Sequence, residues 1–572
     1  MNIRKYILLT GLSLAVVFSS CQDEYEKMPV EDFTLDFVFS RTDSLGVQAK
    51  KYLNAVYSHM RNGHNRVWGD YLDAATDDAI TSAITENDVD RLLMGNYSAA
   101  SILGAEMNWG PYYSGIRKAN TFIANIDVVP LKDKYKSLPL NEVWKSEARF
   151  IRAFHYFELL KRFGGIPLMG DEPLQLDDNL EIPRNTFEEC VNYIVSELDA
   201  IKDSLREHPL DNPQANAHVP TKGAAMALKA RVLLYAASPL FNGGNIDPDN
   251  PLTGYLNYDA ERWKKAADAA REFIEDNPYY QLHSEFDQVF TQENREVIFH
   301  RQGGNNTSIE NTNGPVGYTG SNIGNGRTSP SQNLVEAFPM LDGKPINDPS
   351  SVYTYAPNDP YKNRDPRLAK TVMFNGKNWL GVQLELFQGG KHNPNGSVQK
   401  TKTGYYLRKF MGAFENEANY SSKKHDWIVL RYADILLNYA EALNEYAGPS
   451  NEVYQALIAI RERAGIEAGL DGLYGLKPNM TKSEMREAIR LERRLELAFE
   501  EHRYWDLKRW KIAEEIYKQP INGLVIIKSG GAMNYNVTPV FHPVFKERQY
   551  LYPIPYDEVI KNDEMVQNPG WE

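Results

Sequence analysis

Two stripes of apolar and aromatic residues run from Asn141 to Phe163 at helical spacing. One stripe holds Val143, Phe150, Phe154 and Phe157, and the other holds Trp144, Ala148, Ile151 and His155. Gly164 and Gly165 follow and predict where the helix ends. Because a helix with two apolar stripes must bury both, we expect it to pack between neighbours, as in a stacked helical array.

Three more helix starts are marked by capping residues. Thr186 with Glu189, and Thr481 with Glu484, have the spacing of a capping box, in which both side chains accept backbone N–H groups. Thr221 can cap the alanine-rich segment that follows Pro220. An apolar stripe follows each start, so helices are predicted in both the N-terminal and the C-terminal parts of the chain.

A helical hairpin is predicted from YADILLNYAEALNEYAGPSNEVYQALIAIRERAG. Its two periodic halves are joined only by Gly448, Pro449 and Ser450, and so short a connection forces the helices to be antiparallel. No repeated consensus is readable along the chain, so a helical-repeat architecture is inferred from hairpins and not from self-similarity.

The pattern changes between residues 276 and 428, where Gly- and Asn-rich clusters cannot sustain helices. Short β-like pieces, REVIFH and TGYYLRKF, stand among these clusters. We therefore divide the chain into a helical region 21–275, a loop-rich and partly β region 276–428, and a helical region 429–572. Long irregular segments are more often functional than decorative, so the helices are interpreted as a scaffold and the loops as the ligand-facing surface.

Residues 1–20 have the pattern of a secretory signal. Arg4 and Lys5 precede an apolar stretch from Ile7 to Phe18, which is too short to span a bilayer comfortably. The segment resembles a bacterial lipoprotein signal, in which cleavage before Cys21 leaves that cysteine to carry fatty acyl chains. An ordinary signal peptide with an incidental cysteine is the alternative. The acidic QDEYE that follows resembles an export signal to the outside of the outer membrane.

Composition narrows the classes of partner. The chain of 572 residues has 63 basic and 76 acidic residues and a formal charge of −13, which argues against nucleic acid as a partner. Only Cys21 and Cys190 are present, so with Cys21 lipidated we expect no disulfide and no cysteine metal site, and Cys190 is interpreted as a small buried residue. No metal and no cofactor are predicted. The 34 tyrosines exceed what packing alone needs, and exposed aromatic faces bind sugars or peptide side chains.

Seven ordered segments resemble the SusD/RagB family of outer-membrane nutrient-binding lipoproteins. They are WGPYYSGIRKANTFIANI, EARFIRAFHYFELLKRFGGIPL, PTKGAAMALKARVLLYAASPLF, VLRYADILLNYAEALNE, IRERAG, LERRLELAFEEHRYWDLKRW and YLYPIP with QNPGW. The resemblance implies a mostly α protein with about four tetratricopeptide-like helix pairs, and a SusC-like TonB-dependent transporter as partner. It implies no catalysed reaction. Glu501 stands where the family commonly has glycine, and we expect it to extend the helix.

The segment LERRLELAFEEHRYWDLKRW contains paired carboxylates and several arginines. A glycosidase would need such a pair, one member with a raised pKa. The interpretation favoured here is a structural network, in which Arg493 or Arg503 holds carboxylates bidentately and fixes the packing of neighbouring elements.

Ligand capture requires flat aromatic faces and polar side chains on supported loops. The candidates outside the repeating stripes are Trp68, Tyr318 and Trp379, with Asp77, Asp78 and Asn322 as polar companions. The alternatives are a core position on a helix face for Trp68, and loop packing for Tyr318 and Trp379.

We therefore expect a surface-exposed lipoprotein of the outer membrane that binds an oligosaccharide, caps a SusC-like transporter and delivers the ligand for import. Three alternatives remain open: a peptide-binding RagB-like subunit, a surface glycosidase, and a transporter lid with negligible affinity of its own.

Overall fold

The computed structural model describes residues 34–175, 177–209, 217–318 and 324–572. Residues 1–20, Cys21 and Asn322 lie outside the described residues, so the predictions made for them stay predictions. The helices are α1 (Leu35–Val38), α2 (Val47–Tyr57), α3 (Asp88–Met94), α4 (Gly104–Met107), α5 (Gly110–Asn125), α6 (Leu140–Phe163), α7 (Phe187–Ile201), α8 (Lys222–Ala237), α9 (Glu261–Asp276), α10 (Ser308–Asn313), α11 (Gln332–Ala337), α12 (Pro366–Thr371), α13 (Tyr432–Ala447), α14 (Asn451–Ala464), α15 (Lys482–Glu496), α16 (His502–Arg509), α17 (Ala513–Ile516) and α18 (Tyr556–Val559). The strands are β1 (Ala79–Thr81), β2 (Lys134–Tyr135), β3 (Leu138–Pro139), β4 (Val297–Arg301), β5 (Asn305–Asn306), β6 (Thr328–Pro330), β7 (Val372–Met373), β8 (Asn378–Trp379), β9 (Val382–Gln383), β10 (Tyr406–Leu407), β11 (Lys423–Lys424), β12 (Trp427–Arg431), β13 (Ile521–Ser529) and β14 (Ala532–Phe541).

The long helices form a continuous stack. Each helix from α5 to α8 packs against the next one along the chain, and α9 packs against α13 across the loop-rich region. Helix α13 then contacts both α14 and α15. Both predicted stripes of α6 are buried, because α5 covers one side and α7 another. The mostly helical class is confirmed, whereas tetratricopeptide-like geometry within the stack stays a prediction. No helix in the described ranges is both long enough and apolar enough to cross a membrane.

The predicted helix starts are confirmed. Thr186 and Thr481 each accept the backbone N–H three residues on, at 3.2 Å, and the glutamates at positions 189 and 484 complete both capping boxes. Thr221 Oγ1 accepts the N–H of Ala224 at 3.1 Å. The predicted hairpin is α13 and α14, which pack together across residues 448–450. These devices act within a few residues, so local sequence determines them.

The loop-rich region carries short strands that pair with partners remote in the chain. The REVIFH segment forms β4, antiparallel to β12, and the TGYYLRKF segment forms β10, antiparallel to β7. Strand β6 pairs with β1 from the N-terminal region, Ile80 opposite Ser329. These pairings join the loop-rich region to strand β1 of the N-terminal region and to β12, which leads directly into α13.

A long β-hairpin, β13–β14, lies in the region predicted to be helical. Its turn is Gly530–Gly531, with φ of 56° and 87°, which suits a two-residue hairpin turn. A Gly-Gly pair between two β-rich runs predicts such a hairpin, and this signal was present in the sequence. The backbone N–H groups of Asn522 and Leu524 donate to Asn333 and Thr403, so the hairpin packs on the loop-rich region.

The expectation that Glu501 extends a helix is wrong. Glu501 has φ of 63° and Phe499 has φ of 64°, so the helix breaks into α15 and α16. The buried carboxyl group of Asp73 accepts the N–H of Phe499 at 2.9 Å and the N–H of Glu501 at 3.3 Å. Arg66 Nε donates to Glu501 Oε1 at 2.8 Å. These contacts stabilise a left-handed conformation that glycine would adopt without strain.

Candidate functional site

Trp68 projects from a tight turn between Val67 and Asp70, whose backbones exchange hydrogen bonds of 3.0 Å in both directions. Trp68 and Gly69 have φ of 55° and 93°, and a type I′ turn requires positive φ at both positions. The turn directs the indole outward, so that Trp68 is 67% exposed. The alternative that Trp68 is a core residue on a helix face is therefore wrong.

Two hydrogen bonds fix the orientation of Trp68. Its Nε1 donates to Asp88 Oδ2 at 2.8 Å, and its carbonyl accepts from Arg327 Nη2 at 2.6 Å. Arg327 Nε also donates to Asp70 Oδ2 at 2.8 Å. Burial raises the pKa of Asp70 to about 6, although Arg327 acts in the opposite direction. An exposed ring held in a fixed orientation can stack on the apolar face of a sugar.

Asp77 and Asp78 point into the protein. Arg503 binds Asp77 bidentately, with Nε–Oδ1 and Nη2–Oδ2 distances of 2.9 Å. Arg494 Nε donates to Asp78 Oδ1 at 2.7 Å. Burial acts to raise the pKa of Asp77, but Arg494 and Arg503 outweigh it and lower that pKa to about 2. In this arrangement the two aspartates join the N-terminal region to α15 and α16, and neither carboxylate is available to a ligand.

Tyr318 and Trp379 are buried where their two loops contact each other. The Tyr318 hydroxyl donates to the Trp379 carbonyl at 3.0 Å, and the two residues are 8% and 5% exposed. The Trp379 ring also meets the Phe414 ring edge-on, with centroids 5.9 Å apart. The structure therefore shows the loop-packing alternative for both rings, and a ligand could reach their faces only if these loops moved.

The buried ion network predicted from LERRLELAFEEHRYWDLKRW is confirmed. Glu496 accepts from Arg431 Nη1 at 2.8 Å and from Arg367 Nη1 at 3.0 Å, and it also binds Arg463. Burial acts to raise the pKa of Glu496, but the three guanidinium groups hold it far below its usual range. The network ties the loop-rich region, through Arg367, to helix α15.

Asp70 and Asp73 both have the raised pKa that a glycosidase acid needs. Asp70 is fully buried, and its oxygens accept hydrogen bonds from Thr81, Thr328 and Arg327. Burial raises the pKa of Asp73 to about 8, and the nearby charge of Asp78 adds to this effect. Asp73 is fully buried, however, and its two oxygens accept the N–H groups of Phe499 and Glu501. This carboxyl therefore stabilises the turn between α15 and α16 and has no surface to offer a substrate.

The sequence matches two family models. Residues 258–571, more than half of the chain, match the SusD family. The chain belongs to the SusD family. Residues 39–234 match a second family, described as starch-binding and associating with the outer membrane. The predicted family is therefore confirmed, and the description of the second family model supports association with the outer membrane.

Three proteins similar to this SusD family protein align with it over more than nine-tenths of their own length. SusD-like protein P38 of Formosa agariphila is 25% identical over 538 residues, which cover 91% of this chain and 93% of that protein. A crystal structure of a SusD-like protein from Bacteroides fragilis superposes with a TM-score of 0.75 at 26% identity, covering 95% of this chain and 100% of that chain. A SusD-like carbohydrate binding protein of the same organism superposes with a TM-score of 0.71 at 23% identity, covering 91% and 99%.

Proposed function

We propose that this SusD family protein is a non-enzymatic glycan-binding lipoprotein of the outer cell surface. In this proposal it caps a SusC-like TonB-dependent transporter and delivers oligosaccharides for import. The family description as starch-binding supports a glycan ligand, and the name of the carbohydrate binding fold neighbour agrees with it.

The observation that carries glycan binding is the exposed Trp68 ring on its fixed turn. Sugars present apolar C–H faces ringed by hydroxyl groups, so a flat ring beside polar side chains matches both parts of the ligand. Asp88 accepts from the N–H of this ring, and Arg327 holds the turn through the backbone carbonyl of Trp68. Because both already hold Trp68, the ring is oriented before a ligand arrives, and little conformational entropy is lost on binding.

Replacement of Trp68 by Ala tests the proposal. A central tryptophan in a binding site contributes about 2 kcal/mol or more, so we expect roughly thirtyfold weaker binding of neutral oligosaccharides, including maltooligosaccharides, by calorimetry. The melting temperature should stay near wild type, because the ring is exposed. Tyr258→Ala is the control, since Tyr258 is 61% exposed and lies beside α9 in a different part of the structure.

Three outcomes of this experiment are informative. Unchanged glycan affinity in the Trp68→Ala variant would remove the observation on which the proposal rests. A loss only in the Tyr258→Ala variant would move the site to the surface beside α9. Binding of unstructured peptides, with no binding of any glycan, would favour the peptide-binding alternative.

Membrane attachment through Cys21 is the second part of the proposal. The lipoprotein-like signal ahead of Cys21 and the outer-membrane association of the family support it. Several acyl chains each contribute about 0.8 kcal/mol per buried CH₂ group, which is enough for stable attachment, whereas one chain holds only marginally.

A further inference from the structure

A concave surface is formed by elements that do not carry Trp68. A groove of about 1090 Å³ runs between α2, the short β2–β3 hairpin, the start of α6 and the end of β4. Its volume lies just above the range of about 300–1,000 Å³ that small-molecule sites occupy. The groove is therefore large enough for an oligosaccharide.

The lining of the groove is basic, although the whole chain has a formal charge of −13. The basic side chains that line it are Lys50, Lys51, Lys134, Arg206 and Arg301. Asp133 is the one acidic residue among the lining residues that the structure describes. A positive groove on an acidic protein is a local feature, and net charge alone does not predict it.

One buried carboxylate partly offsets the lining charge. Glu147 binds Arg206 and accepts the hydroxyl of Tyr57 at 2.8 Å, and Lys50 Nζ lies 3.7 Å from its Oε2. Glu147 is fully buried, so it neutralises charge from within the protein and presents no negative surface to the groove. The lining therefore keeps an excess of positive charge.

Three cations are available to an anion. Lys51 and Lys134 are exposed, and neither forms an ion pair with a carboxylate of the described residues. Arg301 donates to the carbonyls of Met60 and Gln302, at 2.7 and 3.1 Å, and these neutral acceptors leave its charge uncompensated. A carboxylate or sulfate would form charge-assisted hydrogen bonds with such groups.

Apolar surface lies next to these cations. Leu45 and Val47, which line the groove, are 72% and 47% exposed, whereas the Trp144 ring at the base of the groove is buried, with Lys50 Nζ 5.1 Å from its centroid. Apolar C–H faces next to anionic substituents are what an acidic sugar presents. We propose that this groove binds an acidic oligosaccharide, one that carries carboxylate or sulfate groups. The inference rests on the proposed function in taking the ligand to be a saccharide.

An anionic membrane surface is the main competing partner for basic side chains. A membrane is broad, so it would meet protein surface well beyond the lysines of the groove, and the net charge of −13 would repel it. A small ligand inside the groove responds mainly to charges within a Debye length, about 8 Å at physiological salt. The concave shape and the local sign of the charge therefore favour the saccharide.

The test measures binding of an oligogalacturonate, a sulfated heparin-derived oligosaccharide and a neutral oligogalactan of matched length, by calorimetry at physiological salt. The double variant Lys51→Gln, Lys134→Gln removes the two exposed positive charges of the groove. The double variant Lys362→Gln, Lys561→Gln is the control, because these lysines are also exposed and do not line the groove. We expect about tenfold weaker binding of an acidic ligand in the first variant only, with affinity that falls as salt is added.

The outcomes separate this inference from the proposed function. Acidic binding that persists in Trp68→Ala, while neutral binding is lost, would support two sites. The groove inference would be overturned if neither acidic ligand bound, or if both lysine variants bound the acidic ligand equally more weakly. The proposed function would remain intact in that case if neutral glycans still bound through Trp68. Failure of every glycan would overturn both. Phosphatidylglycerol vesicles that bind through Lys51 and Lys134, with acidic sugars unaffected by the variant, would make the groove a membrane contact instead.

Discussion

Replacement of Glu496 by Gln should weaken the buried ion cluster that joins the loop-rich region to α15. Both carboxylate oxygens face arginine: Oε1 accepts from Arg431 Nη1 at 2.8 Å, and Oε2 accepts from Arg367 Nη1 at 3.0 Å. Glutamine has one carbonyl oxygen, so either orientation of its amide points an NH₂ group at a guanidinium N–H. The variant therefore removes a charge and creates a contact between two donors, at nearly constant volume.

The loss of stability in Glu496→Gln depends on how many carboxylate partners the arginines keep. Removing one partner of a buried ion pair costs about 3–5 kcal/mol. The remaining carboxylate partners of Arg367 and Arg431 are Asp365, Glu492, Glu296 and Glu500. Since these partners limit the exposure of unpaired charge, we expect a loss near the lower end, about 3 kcal/mol. Native proteins are stable by only about 5–15 kcal/mol, so this loss is a large fraction of the total.

Urea unfolding and thermal melting of the two proteins measure the loss. Glu487→Gln is the matched control, because Glu487 lies on the same helix with its side chain 66% exposed and, among the described residues, forms an ion pair with Arg490 alone, at 2.9 Å. Exposed pairs contribute less than about 1 kcal/mol, so the control should unfold close to wild type. Equal destabilisation by the two substitutions would refute the assignment of Glu496 as a central residue of the cluster.

The pH dependence gives a second test of the same reasoning. Because the folded state lowers the pKa of Glu496, its ionised carboxylate contributes stability above the unfolded value, about pH 4.3. That contribution is lost as the pH falls through the lower pKa of the folded protein. The stability difference between wild type and Glu496→Gln should therefore be constant near neutral pH and shrink in acid. A difference that persists unchanged into acid would contradict a charge-based origin.

Two further predictions concern the fold and the anchor. Trp379→Ala should lower the free energy of unfolding by about 3–5 kcal/mol, because the ring is buried against Phe414. Val382→Ala, on the exposed neighbouring strand, is the control. A melting temperature of Trp379→Ala near that of wild type would return Trp379 to the ligand candidates. Cys21→Ser should move the full-length protein from the membrane fraction to the soluble fraction without changing its melting temperature. In Cys190→Ser the polar substitution of a buried residue should lower the melting temperature and leave the protein on the membrane. Unchanged membrane recovery of Cys21→Ser would contradict the lipid anchor.

Much of the helical scaffold could be predicted from local sequence. The capping boxes at Thr186 and Thr481, and the two stripes of α6, appear in the structure as expected. The candidate site was predicted less well, since Trp68 is exposed while Tyr318 and Trp379 are buried. All three are aromatic residues outside the helical stripes, and their local sequence does not encode which faces another segment covers.

The remaining features depend on contacts between segments far apart in the chain. Trp68 owes its orientation to Arg327, 259 residues away, and Asp77 is paired with Arg503, 426 residues away. Glu501 adopts positive φ because Asp73 and Arg66 hold it, against the helical preference of its neighbours. The sequence by itself determined the capped helix starts and the α13–α14 hairpin, because caps and apolar periodicity act within a few residues, and its ordered motifs determined the family. Only the tertiary structure decided which rings face solvent and which charges remain unpaired, because burial and ion pairing depend on what the rest of the chain brings beside each residue.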